Sequence, residues 1–236
     1  MLKISKLVLF FSVLVSLFGI FTAIMFALVP HSATAQTLRK PVVGSIFLLI
    51  CLLGLLAAVR PKRCSSVLAF HSKVDKTNIH TSLHQGLSVI GHHVNCGEFS
   101  SHVANFFGRI YCAACAGLFL GALVALTGGV LYFFTDWAAG IVYFSFPAVL
   151  TGAMFIALGF AQLLFKGKMR MVLNVLFPFG AFLILAGTDA VAQNVFVDLY
   201  LTALIIFWIW TRILLSRWDH ARTCRICKRA CSIRSC

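Results

Sequence analysis

Six long apolar runs, at residues 7–29, 41–59, 114–134, 138–165, 171–192 and 195–215, constrain the fold of this chain more than any other feature. Roughly 20 apolar residues in a helix cross the ~30 Å hydrocarbon core of a bilayer. Inside lipid only helices and closed barrels satisfy their own backbone groups, and these runs lack the two-residue alternation of a barrel strand. The expected fold is an all-α integral membrane protein with six transmembrane helices. Composition agrees: only 11% of the residues are charged, against about a quarter in a soluble globular chain.

A net charge of +14 would ordinarily raise the question of nucleic acid. Its distribution gives another answer. With the N-terminus inside, six spans put 1–6, 60–113, 166–170 and 216–236 on the cytoplasmic side. Of the 20 Lys and Arg residues, only Arg39 and Lys40 then fall outside that side or the last helix end beside it. Cytoplasmic loops carry this excess of basic residues in helical membrane proteins. Both termini are therefore expected in the cytoplasm of a cell-membrane protein, lipid is the expected partner, and nucleic acid is not.

The runs divide the chain into an N-terminal helical pair (1–59), a long loop (60–113), a four-helix membrane bundle (114–215) and a basic tail (216–236). Lys3, Lys6, an apolar stretch and Ala33-Thr34-Ala35 resemble a signal peptide with its cleavage site. At 7–29 the stretch is longer than the usual h-region, which favours an uncleaved signal anchor. Thr135-Asp136-Trp137 and Gln193-Asn194 read as outer turns and Lys166 to Arg170 as an inner one, making sequential helices antiparallel neighbours. Gly117 and Gly121 form a small-xxx-small pair, with Gly152 and Gly159 as further close-approach positions. Pro147 and Pro178 are expected to kink the fourth and fifth helices.

The loop at 60–113 holds six of the eight histidines. It is far longer than an ordinary connection and too small to bury a core of its own, so a structural metal would help it fold. Its ligand pattern is His93-x2-Cys96 followed by Cys112-x2-Cys115. Tetrahedral zinc takes four thiolate or imidazole ligands, commonly as two closely spaced pairs. His92 is the alternate imidazole. Cys115 stands at the head of the third span, where backbone N–H groups favour a thiolate. A Cys-x-x-Cys pair so placed also suits a dithiol oxidoreductase or, less well, an iron–sulfur centre. Cytoplasmic placement argues against a permanent disulfide.

A weaker second cluster lies in the tail, where Cys224, Cys227, Cys231 and Cys236 stand among basic residues. Their spacing fits no familiar ligand pattern, and a basic tail also binds anionic lipid. His80 and His84 share a helix face but are read as solvated. Asp189 and Asp198 flank the last outer turn, with Asp136 on the same side, and are expected to sit near water at helix ends. Charges deep in a bilayer usually mark function. With none convincingly at mid-membrane, a small-solute or ion transporter is the third reading. Trp137, Trp208, Trp210 and Trp218 are expected as interfacial anchors or packing, and Cys51 as a buried residue of the second helix.

The stretch 91–121 resembles a prokaryotic family of small multi-pass membrane proteins defined by a domain of unknown function. In that family a His/Cys segment ends in Cys-x-x-Cys-x-Gly and runs into an apolar helix. Here the corresponding residues are His92-His93-x2-Cys96 and Cys112-x2-Cys115-x-Gly117-Leu118. The chain departs from the family pattern at Ala114 and Ala116, where the family has polar residues or glycine. The resemblance implies a metal site and no activity. The expectation is therefore a non-enzymatic membrane protein with a structural zinc held by His93, Cys96, Cys112 and Cys115, serving assembly or docking of a protein partner or a second copy. A membrane thiol oxidoreductase using Cys112 and Cys115 is the alternative.

Overall fold

The structure is a computed structural model that describes residues 6–28, 38–59, 103–106, 109–135 and 144–226. Among them are six helices long and apolar enough to cross a membrane, the fourth of them together with the 3-10 turn Ala161–Leu164 that continues it. These are α1 (Lys6–Leu28), α2 (Arg39–Val59), α3 (Ala113–Phe134), α4 (Ser145–Phe160), α5 (Gly167–Ala192) and α6 (Val195–Ile226). A short antiparallel hairpin, β1 (Val103–Phe106) and β2 (Arg109–Cys112), precedes α3.

Long apolar side chains such as Phe10, Phe11, Phe18, Leu53, Met154 and Phe196 are exposed on the helices. A water-soluble chain would bury them; a lipid-facing surface requires them. The fold and this surface indicate membrane localisation.

α5 lies at the centre, packed along both α3 and α4, while α2 packs on α3, and α1 on α6 and α4. Glycines set these distances. A Cβ built on Gly152 would lie 2.7 Å from the Gly180 carbonyl oxygen, and one on Gly180 would lie 2.8 Å from that of Gly152. α4 and α5 therefore touch backbone to backbone. Gly117 faces the Met171 carbonyl and Asn174, and Gly121 faces Val175 and Pro178, which does the same for α3 and α5. Without a hydrophobic drive between helices in lipid, such close approach supplies much of the attraction.

Three boundaries differ from the expectation. α5 begins at Gly167, so Lys168 and Arg170 lie in its first turn rather than in a connection. Gly167 enters the helix at a φ of 54°, a conformation that glycine adopts without strain. α6 runs to Ile226, eleven residues past the expected end, and takes up the first part of the basic tail. Pro147 falls in the first turn of α4, where its missing N–H leaves no hydrogen bond unmade. Pro178 alone of the two is inside a helix body.

Since the helices alternate in direction, the bundle has two ends. One carries the starts of α1, α3 and α5, and may be called the cysteine end. The other carries the starts of α2, α4 and α6, and is the acidic end.

Candidate functional sites at the two ends of the bundle

At the cysteine end, β2 passes into α3 without a connecting residue. Cys112 is the last strand residue and the N-cap of α3, with extended backbone angles (φ −67°, ψ 116°), and Cys115 is the third helical residue. N-cap and third-residue side chains approach each other in any helix, as in a capping box. Here both are thiols within hydrogen-bonding range of one another, and neither is in a disulfide. Cys112 is buried, and Cys115 is partly exposed.

The guanidinium of Arg212, from α6, lies close enough to both thiols to act on them electrostatically. Its Nη2 donates to Asn174 Oδ1, and its plane lies over the Phe177 ring at 5.7 Å. Asn174 in turn donates through Nδ2 to the Arg170 carbonyl, 2.6 Å away. Arg170 pairs with Asp219 across 2.8 Å. Nε of Arg170 and Nε of Arg212 are buried without hydrogen-bond partners. Among the described residues, Arg170 thus pairs with a carboxylate while Arg212 lies near the thiol pair.

The structure brings together Cys112 and Cys115 of the expected zinc ligands. His92, His93 and Cys96 lie outside the described residues, as do His80, His84, Cys227, Cys231 and Cys236. Cys224 falls in the last turn of α6. Among the described residues no group of three or more His, Cys, Asp or Glu could hold a metal ion. Cys51 is buried in α2, as expected.

The acidic end departs most from the sequence reading. Asp189 and Asp198 are fully buried rather than near water. The two-residue turn between α5 and α6 explains it. Gln193 takes a left-handed conformation, with its N–H bonded to the Asp189 carbonyl, and Asn194 Oδ1 accepts from Phe196 N–H. The chain reverses so tightly that the last turn of α5 lies beside the first turn of α6, and the two acids meet. Arg39, from α2, bridges them: a single nitrogen, Nη1, contacts Asp189 Oδ1 and lies 2.6 Å from Asp198 Oδ2. Tyr132, from α3, donates its hydroxyl to Asp189 Oδ2 at 2.7 Å. Lys40 Nζ lies over the Tyr132 ring, 5.0 Å from its centre. Four helices are thereby joined through charged groups that water barely reaches.

Composition alone does not reveal this cluster, yet the sequence holds a signal for it. Arg39 and Lys40 are the two basic residues that violate the positive-inside pattern, and the two acids stand nine residues apart across a turn. Cations misplaced by topology next to unexplained carboxylates point to an ion pair. No protein-family model, curated protein or solved structure matches the chain. The likeness of 91–121 to a domain of unknown function accordingly rests on the quoted residues alone.

Proposed function

We propose that this is a multi-pass membrane protein whose cysteine end faces the cytoplasm and carries a structural zinc ion. Cys112 and Cys115 supply two ligands, and His93 and Cys96 the others, with His92 as the alternate imidazole. One observation carries the reading: the thiols of Cys112 and Cys115 lie side by side at the junction of β2 and α3. Two sulfurs on one tetrahedral zinc are about 3.8 Å apart, given Zn–S bonds of ~2.3 Å. The two thiols, the N-cap and the third residue of one helix, suit two such ligand positions. A zinc bound by three thiolates and one imidazole has a net charge of −1, which the nearby Arg212 guanidinium would offset. The hairpin anchors one side of the site, and the metal would hold the preceding loop against the membrane as a surface for assembly.

The thiol-oxidoreductase reading draws on the partial exposure of Cys115 beside a buried Cys112. Such an arrangement leaves one thiol open to a substrate and the other to resolve a mixed disulfide. Metal analysis of the purified full-length protein separates the two. The zinc reading expects about one zinc per chain, lost on Cys112→Ser and Cys96→Ser alike. A metal-free protein with a reversibly oxidised Cys112–Cys115 pair would overturn it in favour of redox chemistry.

A further inference from the structure

At the acidic end, the charged groups do not balance as simple ion pairs. Two carboxylates face one guanidinium in a site closed to water. Lys40 could in principle be the second cation, but it lies over the Tyr132 ring and pairs with neither acid. One nitrogen, Arg39 Nη1, touches an oxygen of each acid, which brings the Asp189 and Asp198 carboxyl groups to either side of it. Two carboxylates so placed repel strongly, and the one guanidinium between them offsets only one of the two charges.

The four carboxylate oxygens show which cation fits. Asp189 Oδ1 accepts from Arg39 and Asp189 Oδ2 from Tyr132; Asp198 Oδ2 accepts from Arg39. Asp198 Oδ1 alone is buried with no hydrogen-bond partner. A metal cation such as calcium or magnesium needs about six oxygen ligands. One free carboxylate oxygen cannot provide that shell, and it lies in no cluster of metal-binding side chains among the described residues. A proton needs one donor oxygen and one acceptor.

We propose that Asp189 and Asp198 form a proton-binding site in which one exchangeable proton is held between the two carboxyl groups. With the proton on Asp198 Oδ1, that oxygen becomes a donor to Asp189 and the one unmet hydrogen-bonding atom of the cluster is satisfied. Arg39 then faces a single negative charge, and the guanidinium and the two acids together are neutral. Releasing the proton leaves two carboxylates against one guanidinium, which loosens the junction of α2, α5 and α6. Uptake restores it. The groups that set the equilibrium are Arg39 and Lys40 on α2, Tyr132 on α3, Asp189 on α5 and Asp198 on α6.

Infrared difference spectroscopy of the full-length protein in lipid at neutral pH tests this directly. The expected result is a carbonyl stretch of a protonated, buried carboxylic acid. It should shift on exchange into D2O and vanish in both Asp189→Asn and Asp198→Asn. Lys40→Met should leave it in place. Absence of such a band in the wild-type protein would mean that both acids are ionised, and would overturn the proposal. So would a sodium-dependent rise in melting temperature that Asp198→Asn abolishes, since it would mark a metal cation in the same place. The wild-type spectrum decides the matter alone, so a variant that fails to fold does not leave it open.

Discussion

Arg39 Nη1 lies 2.6 Å from Asp198 Oδ2, and the two side chains are 8% and 0% exposed. The contact joins the start of α2 to the start of α6, elements separated by most of the chain. Removing one partner of a buried ion pair leaves the other charge uncompensated, at a cost of about 3–5 kcal/mol. Here Arg39 serves two acids, so its loss is the more damaging. Arg39→Met should therefore destabilise the protein in lipid or detergent by at least that range. Arg39→Lys should fall between, because a lysine keeps the charge but not the fixed donor geometry. Thermal or denaturant unfolding in mild detergent measures both, and a wild-type melting temperature for Arg39→Met would contradict this account.

The reciprocal contact of Gly152 with the Gly180 carbonyl sets the spacing of α4 and α5. Any side chain there pushes two backbones apart. Overpacking of a close contact costs typically ~1–3 kcal/mol. Gly152→Leu should exceed that range, because the nearest atom is the Gly180 carbonyl oxygen, backbone that cannot turn aside as a side chain can. Gly54 offers the contrast, since a Cβ there meets only Ala122 Cβ at 3.8 Å. Gly54→Ala should be tolerated or slightly stabilising, as alanine is the better helix former by about 1 kcal/mol. Comparing the two melting temperatures checks the packing directly.

Hydropathy made the six spans legible, since a lipid-exposed helix must be apolar nearly all round. The glycine contacts were legible too, because in lipid close helix approach favours the smallest residues. Helix ends were less so. α6 continues past its apolar stretch because Asp219 reaches Arg170 on α5, an ion pair that hydropathy cannot register. Asp189 and Asp198 were misjudged for a related reason. Their distance from the run ends suggested water, but the left-handed Gln193 turn and the arrival of Arg39 from α2 bury them. Burial of a charge depends on a partner from elsewhere in the chain, which a linear reading finds only when that partner breaks a rule. The Cys112–Cys115 juxtaposition was readable from the i, i+3 spacing. The approach of Arg212 from nearly a hundred residues away was not.

Trp208 gives a test of how α1 is held. It is fully buried, and its indole Nε1–H donates to the Ser16 carbonyl at 3.1 Å, while Ser16 Oγ donates to Thr211 Oγ1 at 3.0 Å. Trp208→Phe keeps most of the packing and deletes the indole donor. The loss should be about 1 kcal/mol for the hydrogen bond, with a smaller cavity term added. Trp208→Ala removes the packing as well and should cost about 3–5 kcal/mol. If α1 is held chiefly by this contact, Trp208→Ala should also expose α1 to limited proteolysis before the rest of the bundle.

The approach of Arg212 to Cys112 and Cys115 makes a prediction that depends on the zinc proposal. Outer partners of metal ligands typically change metal affinity by about 10–100-fold when removed. Arg212→Met deletes the charge that offsets three thiolates, and it frees Asn174 Oδ1 from its donor. Zinc should still bind, since every ligand is present, but a competing chelator should remove it at about ten-fold lower concentration. Arg212→Lys should retain most of the affinity, because the charge rather than the fork of donors acts on the sulfurs. Asn174→Asp supplies a control: a carboxylate in hydrogen-bonding contact with Arg212 would draw on the same positive charge and weaken zinc retention without touching a ligand. Chelator titration of the purified variants, followed by the metal remaining per chain, orders all three against wild type. Equal retention in Arg212→Met and wild type would remove Arg212 from the site.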